Sequence, residues 1–213
     1  MAKGGASATR REALDDKIVL AVLDAIERDP AVTQRSVALK LGVALGLVNA
    51  YVKRCIRKGF VKVRQVPPRR YAYFLTPQGI SEKSRLTATY LTSSFSFFRR
   101  SRLECSELFL LAAGRGQRRF ALIGGGDLSE IAGLAAREHS VEIAGVVSNY
   151  SATDGLRAAA LALGAVDAVM VTSLQNPREA FVAAVAAFGP ERVYAPALLG
   201  IQPVVTAQVG ERS

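Results

Sequence analysis

The feature that most constrains this chain is a long proline-free stretch in its middle. After Pro77 no proline occurs until beyond Ala113, and the one glycine, Gly79, lies near the start. A continuous helix of this length would span roughly 55 Å. The alternative is a helix broken near Ser93-Ser94. The segment 77–113 is therefore expected to link two parts of the molecule.

The same stretch carries apolar side chains that predict a dimerisation helix. Positions near a heptad spacing are Ile80, Thr87, Leu91, Phe98, Cys105 and Leu108. Further apolar surface comes from Phe95, Phe97, Phe98, Phe109, Leu110 and Leu111. A heptad repeat favours helix pairing. The alternative is that this helix packs only over its own N-terminal domain.

Charge divides the chain at the end of this helix. Residues 1–119 hold 23 of the 28 Lys and Arg and 9 of the 18 Asp and Glu, a balance of +14. Residues 120–213 hold 5 basic and 9 acidic residues, a balance of −4. Such asymmetry predicts a polyanionic partner for the first half. The alternative is a soluble protein that is generally basic.

Composition argues against several classes of protein. Half of the residues are hydrophobic, which allows a folded core. Two cysteines and one histidine, His139, predict neither a disulfide framework nor a metal site. No apolar run is long enough for a membrane span, and the start MAKGGASATRRE lacks the apolar core of a signal peptide. We expect a cytoplasmic protein with no membrane partner.

Three helices are predicted over residues 12–58, after a small, polar segment 1–11 that is expected to be a disordered tail. Their expected inward residues are Leu14, Ile18, Leu20, Val22, Leu23 and Ile26 in the first, Val37, Ala38 and Leu41 in the second, and Val48, Val52 and Ile56 in the third. Thr33 is the expected N-cap of the second helix, and Gly42 and Gly59 end the second and third. Two helices joined by a glycine-containing turn are the helix-turn-helix pattern.

A β-hairpin is predicted directly after these helices. Residues 60–66 alternate apolar and polar side chains, and residues 71–75 provide the partner strand. Between them, Pro67-Pro68-Arg69-Arg70 forms a turn with a basic tip. Thr76-Pro77 then has the form of an N-cap followed by proline at the first helical position. This hairpin is the expected wing of a winged helix-turn-helix domain over 12–76.

Two runs carry a resemblance to a known family. TQRSVALKLGVALGLVNAYVKRCIRKGFVKV and RRYAYFLTPQGISEKSRLTATYL occur in this order. Over roughly residues 12–100 the chain resembles the MarR-type winged-helix regulators associated with exopolysaccharide biosynthesis clusters. The resemblance implies a dimeric protein that binds double-stranded DNA.

Candidate DNA-binding residues follow from the chemistry of a recognition helix, whose N-terminal part meets base edges. Asn49 can pair bidentately with adenine, and Gly46 allows close approach to the groove, while basic side chains can contact phosphates. The second helix begins with residues whose amide groups can meet a phosphate. The full set is Gln34, Arg35, Ser36, Leu45, Gly46, Asn49, Lys53, Arg54, Arg57, Arg64, Arg69 and Arg70. For any single basic residue, a solvated surface position is the alternative.

After a linker at 114–119, the second half alternates short apolar runs with helical segments. Strands are predicted at 120–123, 141–147, 168–171 and 192–194, and helices at 127–139, 154–163 and 177–188. In the first of these helices Ile131, Leu134 and Ala135 are expected to face inward. This alternation is typical of a parallel sheet with helical crossovers. We therefore predict an α/β chain overall, with a small Rossmann-like domain over 120–203 and a tail at 204–213.

A glycine-rich turn predicts a ligand site in this half. Gly124, Gly126 and Ser129 match G-x-G-x-x-G with serine in the third place, between a strand and a helix. Two features depart from an NAD site: Ser148-Asn149 stand where an acidic residue would hold a ribose, and Asp127 and Glu130 put negative charge near the expected phosphate. Candidate ligand-binding residues are Gly124, Gly125, Gly126, Asp127, Leu128, Ser148, Asn149, Thr172 and Ser173.

The cofactor is not identified by these residues. NAD(H) and a nucleotide sugar are the candidates, since the segment also resembles nucleotide-binding domains of sugar-modifying enzymes. The alternative is a ligand-free domain used for assembly. The order of a winged helix and then a Rossmann-like domain is similar to that of the Rex redox-sensing repressors.

Three hypotheses follow. The favoured one is a dimeric regulator of transcription, not an enzyme, whose second domain responds to a nucleotide-type ligand and whose targets include polysaccharide biosynthesis genes. The second is an enzyme acting on nucleotide sugars, against which the sequence holds no Tyr-x-x-x-Lys motif and no nucleophile beside a base. The third is a DNA-binding scaffold whose second domain binds a protein.

Overall fold

The computed structural model describes residues 4–66, 70–149 and 153–201. It divides into two units, Met1–Ser94 and Phe95–Ser213. The tip of the predicted wing at 67–69 and the predicted tail at 204–213 lie outside the described residues. Each unit is built around its own core.

The first unit contains three helices, a hairpin and the start of a fourth helix. Its elements are α1 (Gly4–Arg28), α2 (Gln34–Leu41), α3 (Leu45–Arg57), β1 (Val61–Val66), β2 (Arg70–Leu75) and α4 (Pro77–Gly114), which continues into the second unit. The two strands pair antiparallel, with Val61 opposite Leu75. α1 begins at Gly4, within the segment predicted as a disordered tail, because Ala, Arg and Glu over 6–12 extend an existing helix favourably.

The core of the first unit lies where α1, α2 and α3 meet the hairpin. Leu23 and Val48 are fully buried at its centre. Two predicted inward residues are wrong: Leu14 is 57% exposed and Ile56 is 37% exposed. α3 instead buries Val48, Tyr51, Val52 and Cys55. The predicted helical period of α3 agrees with the structure. Because Tyr51 and Cys55 belong to its buried face, Ile56 lies on the exposed side instead.

α4 is one continuous helix, with no break at Ser93-Ser94. Serine lowers helix propensity only slightly, and no proline interrupts the run. Near its start, Gly79 lies so close to the residue that precedes β1 that a β-carbon there would stand 2.0 Å from the carbonyl oxygen of Phe60. Leu86 is buried in the core of the first unit. The N-terminal part of α4 is thus an integral part of that unit.

The second unit is a four-stranded parallel sheet with connecting helices. Its elements after α4 are β3 (Arg119–Ile123), α5 (Asp127–Glu138), β4 (Glu142–Val147), α6 (Thr153–Ala162), β5 (Ala168–Val171), α7 (Pro177–Phe188) and β6 (Val193–Tyr194), with 3₁₀ turns at Pro190–Arg192 and Ala197–Leu199. The strand order is β4-β3-β5-β6 and all neighbours pair parallel. The predicted α/β class of this half is confirmed.

Helices cover both faces of this sheet. Phe120 and Leu122 of β3 belong to a core shared with α4 and α5, whereas Ala121 and Ile123 belong to a core shared with α6 and α7. This division follows from the alternation of side chains along a strand. The Phe109 ring of α4 meets the Phe120 ring edge-on, with centroids 5.1 Å apart.

Packing on this sheet corrects two predictions. Leu134 of α5 is 47% exposed, because Leu128, Ala132 and Ala136 take the inward arc instead. Cys105, assigned to a heptad seam for dimerisation, is buried in the second unit's own core, and Leu108 of the same seam is half-buried against that core. The face of α4 that carries Cys105 and Phe109 is therefore a layer of the α/β unit.

Both cysteines are buried and free. No group of three or more metal-ligating side chains occurs within the described residues. Over the same residues, no single helix is both long and apolar enough to cross a membrane, and only the bent pair of α2 and α3 passes that test when its helices are taken together.

Candidate nucleic-acid interface

Capping interactions define both ends of α2, the first helix of the helix-turn-helix. At the start, Thr33 Oγ1 accepts a hydrogen bond from the backbone N–H of Ser36 at 3.1 Å. At the end, Gly42 adopts a left-handed conformation with φ of 63°, and its N–H bonds back into α2. The cap at Gly42 ends α2 and leads into the short turn before α3, while the cap at Thr33 fixes where α2 begins.

α3 presents an exposed stripe opposite its buried face. Gly46, Ala50, Lys53 and Arg57 are exposed along it, and Asn49 beside them is half-buried. These positions recur at three- and four-residue spacing, so they lie on one side of the helix. Added bulk at Gly46 would meet no atom within 4 Å. The stripe is open for contact along its length.

Arg54 is turned away from this stripe and toward α1. Its Nη1 lies 3.1 Å from Asp15 Oδ2, and the other carboxylate oxygen accepts a hydrogen bond from the Tyr51 hydroxyl. Burial, together with this hydrogen bond, raises the pKa of Tyr51. The predicted phosphate contact of Arg54 thus competes with an ion pair that ties α3 to α1.

Part of the predicted phosphate site at the start of α2 is occupied by contacts within the protein. The Ser36 hydroxyl donates to the carbonyl oxygen of Thr33 at 2.8 Å, and its backbone N–H is taken by the cap. The Gln34 amide donates to the Tyr73 hydroxyl of β2 at 3.3 Å. Of the three predicted residues here, Arg35 is the one that stays exposed.

The hairpin adds basic side chains beside these helices. Lys62 and Arg64 of β1 are exposed and two residues apart, so they share a face of the strand. Tyr71 of β2 is 59% exposed. Arg69 lies outside the described residues, and Arg70 is placed only by its backbone, as the first residue of β2.

The helix-turn-helix core of this unit is matched by a known family. Residues 15–62 fit the model of a family described as winged helix-turn-helix DNA-binding. The first unit therefore contains a winged helix-turn-helix DNA-binding domain. The match ends at the start of β1, and the antiparallel partner β2 completes the wing of the winged helix-turn-helix domain.

Other comparisons give less. No curated protein matches the chain. Among solved structures, the chain is similar to the PcaV transcriptional regulator from Streptomyces coelicolor in complex with its natural ligand. The two are 22% identical, the match covers 46% of this chain and 79% of that one, and the TM-score is 0.36.

Sequence reasoning overlooked two exposed residues of the winged helix-turn-helix domain. Leu47 is 40% exposed at the edge of the α3 stripe, and Lys62 is exposed on the wing. Lys62 could have been found, since it alternates with Arg64 on the same strand face. Leu47 gave no such signal, because an apolar residue next to the buried Val48 is typical of a core position.

The glycine turn of the second unit is held by the end of β5. Gly124 has φ of +105°, and a β-carbon on it would stand 2.5 Å from the backbone nitrogen of Ser173. The Thr172 hydroxyl donates to the carbonyl oxygen of Gly124. Leu128 is fully buried in the core. Of these four predicted ligand residues, Gly124, Thr172 and Ser173 therefore contact one another, and Leu128 is enclosed in the core.

The other predicted ligand residues stay exposed. They are Gly125, Gly126, Asp127, Ser148 and Asn149. Ser148 and Asn149 line a groove of 510 Å³ between the end of β4 and α6. A β-carbon on Gly125 would stand 3.3 Å from Ser148 Oγ, which places the glycine turn next to this groove.

Proposed function

We propose that this protein is a dimeric transcriptional regulator, in which α3 contacts the bases of its DNA site and the wing contacts the flanking groove. The single observation that carries the proposal is the stripe of Gly46, Asn49, Ala50, Lys53 and Arg57, which the winged helix-turn-helix domain leaves open to contact. Recognition helices dock in the major groove through such an outward face.

The charges near this stripe support a phosphate-binding role. Lys53, Arg57 and Lys58 are exposed on and after the second half of α3, and Arg64 is exposed on the wing. Each phosphate contact contributes about −0.9 to the slope of log affinity against log salt concentration. A dimer with six or more contacts has a slope of about −5 or steeper.

Fluorescence anisotropy with duplexes covering the promoters near the gene tests this function. We expect binding with that steep salt dependence, and Arg57→Ala weakens it on all sequences and makes the slope shallower by about one. The matched control is Arg28→Ala, which also removes one positive charge. Arg28 lies at the end of α1, where its side chain is 76% exposed. Absence of binding to every duplex would refute the function.

The dimer is proposed to form through α4. Its exposed apolar side chains include Ile80 and Leu91 in the first unit and Phe95 and Phe98 in the second, the last two 59% and 38% exposed. Large apolar surfaces of this kind mark protein contacts. Sedimentation at micromolar concentration is expected to give a dimer, and Phe95→Ser shifts it toward monomer. A monomeric wild type would overturn this part of the proposal.

The second unit is proposed to bind a nucleotide-type ligand, such as NAD(H) or a nucleotide sugar, that biases DNA binding. Support comes from the strand order. The chain passes from β3 to β4 on one side of β3, and then to β5 on its other side. Ligands of such sheets bind at the carboxyl ends of the strands, near the point where the strand order reverses. The exposed Gly126 and the groove at Ser148 lie in that region.

Thermal shift measurements with NAD⁺, NADH and several nucleotide sugars test the ligand. We expect one of them to raise the melting temperature, and Gly126→Val to abolish the effect. No response to any of them would favour the alternative in which this unit binds a protein. Because the first unit resembles regulators of exopolysaccharide clusters, promoters of polysaccharide biosynthesis genes are the first operators to examine by chromatin footprinting.

A further inference from the structure

We propose that α3 selects operators whose half-sites present A·T base pairs to its first two turns, with thymine methyl groups as the principal apolar contacts. This inference rests on the proposed DNA-binding function and adds the class of sequence that is bound. It starts from the side chains that stand exposed at the reading end of the helix.

The first two turns of α3 are apolar and small on their exposed surface. Leu45 is 50% exposed and Leu47 is 40% exposed, and Gly46 and Ala50 are exposed between and after them. Asn49 is the one polar side chain over 45–52 apart from Tyr51, which is buried. Two leucines left in water at the start of a helix lose little by contacting an apolar partner and gain from burial.

Guanine has no suitable partner at this end of the helix. In the major groove, guanine is most often read by arginine or lysine through O6 and N7. The first cation of α3 is Lys53, in its third turn, and the next, Arg54, is paired with Asp15. Because the N-terminal residues of a recognition helix meet base edges, the cations of α3 are placed for phosphates rather than for guanine.

Both edges of an A·T pair do have partners here. The Asn49 amide can donate and accept at N6 and N7 of adenine, and apolar side chains contact the 5-methyl group of thymine. Leu45 lies one turn before Asn49, and Gly46 lies one turn before Ala50, so these side chains are neighbours on the helix surface. The open space over Gly46 lets the helix backbone approach the bases closely.

The experiment begins by selecting bound duplexes from a randomised library with the full-length protein. In the best duplex, thymines are then replaced singly by deoxyuridine, which removes the methyl group and keeps the hydrogen bonds. We expect about fourfold weaker binding for each contacted thymine, and at least about fivefold weaker binding when a contacted A·T pair becomes G·C.

Variants locate the effect on the helix. Leu45→Ala is expected to bring the thymine-to-uracil affinity ratio near one at the position that Leu45 contacts. Leu39→Ala is the matched control, since Leu39 is 77% exposed on α2, and it keeps the wild-type ratio. Lys53→Ala weakens thymine and uracil duplexes alike.

Three results would overturn the proposal. The first is a set of selected half-sites with G·C pairs where α3 protects the DNA. The second is equal affinity for thymine and uracil duplexes throughout. The third is a Leu45→Ala variant with unchanged DNA binding but altered sedimentation, which assigns this apolar turn to a protein contact. Failure to bind any duplex refutes the proposed function itself, and the inference with it.

Discussion

Gly124 and Ser173 are in direct contact across the ends of β3 and β5, with no room for a side chain between them. A β-carbon on Gly124 would stand 2.5 Å from the Ser173 backbone nitrogen and 2.6 Å from its Cα and Cβ. The glycine is required by this packing, whatever the unit binds.

Gly124→Ala is therefore expected to destabilise the second unit by about 2 kcal/mol or more, because overpacking against backbone adds to the cost of a positive φ. The matched control is Gly133→Ala in α5, where a β-carbon meets no atom within 4 Å. That change is expected to be neutral or stabilising by up to about 1 kcal/mol. Urea unfolding followed by circular dichroism measures both, and equal midpoints for the two variants would contradict the packing argument.

Asp15→Asn is expected to increase DNA affinity. It removes the carboxylate that holds Arg54, while its side-chain oxygen can still accept from Tyr51. The released guanidinium can then contact a phosphate, which makes the salt slope steeper by about one. The stability cost is about 0.2–1 kcal/mol, since the ion pair is 39–40% exposed.

Asp16→Asn is the control for this charge change, because it alters net charge equally at the next position of α1. Anisotropy titrations over a range of salt concentrations compare the two variants. If both have the same slope, the effect is one of net charge, and Arg54 is not released toward DNA.

Asp167 makes the stability of the second unit depend on pH. Its Oδ2 accepts the backbone N–H groups of Arg118 and Arg119, each at 2.8 Å. These hydrogen bonds lower the pKa of Asp167 below its ordinary value of 3.8. A carboxyl with a lowered pKa stabilises the fold above its unfolded value, and that contribution is lost as the pH falls below 3.8 toward the folded value.

Asp167→Asn should therefore unfold at lower urea than wild type at pH 6, and the two should converge as the pH falls below 3.8. Glu191→Gln, a change at an exposed carboxylate of the same unit, is expected to follow the wild type throughout. A constant difference between wild type and Asp167→Asn at all pH values would show that the carboxylate's charge is not involved.

The two cysteines are expected to be inert in the folded protein. Burial raises the pKa of Cys55 to about 11 and that of Cys105 to about 12, so both are thiols at pH 8. Because the thiolate is the reactive form, iodoacetamide should label them slowly in the native state and fast in urea. Mass spectrometry reads the labelling. Fast native labelling of Cys105 would show that this thiol is accessible and reactive in the folded protein.

Much of the second unit could be predicted because each element carries its own signal. The apolar run at 168–171 and the helix at 177–188 have the predicted bounds. The faces of helices were harder. Leu134 fits the helical period of α5, but the layer formed by α4 covers the arc centred on Ala132 and leaves Leu134 exposed.

The candidate sites show the same limit. The exposure of Gly46, Lys53 and Arg57 on α3 follows from the period of the buried residues within one helix. The ion pair of Arg54 with Asp15 does not, since the partners are 39 residues apart in the chain. The contact between Gln34 and Tyr73 is equally distant.

The sequence by itself determined the order of elements, the helix-turn-helix with its wing, and the confinement of positive charge to the first half, because period, caps, turns and charge are local properties. Only the tertiary structure decided which cations remain exposed on α3, and that one face of the C-terminal half of α4 packs in the core of the second unit. It also decided that Gly124 packs directly against the backbone of Ser173, which leaves no room for a side chain. These outcomes depend on which distant surfaces meet, and no local pattern records that.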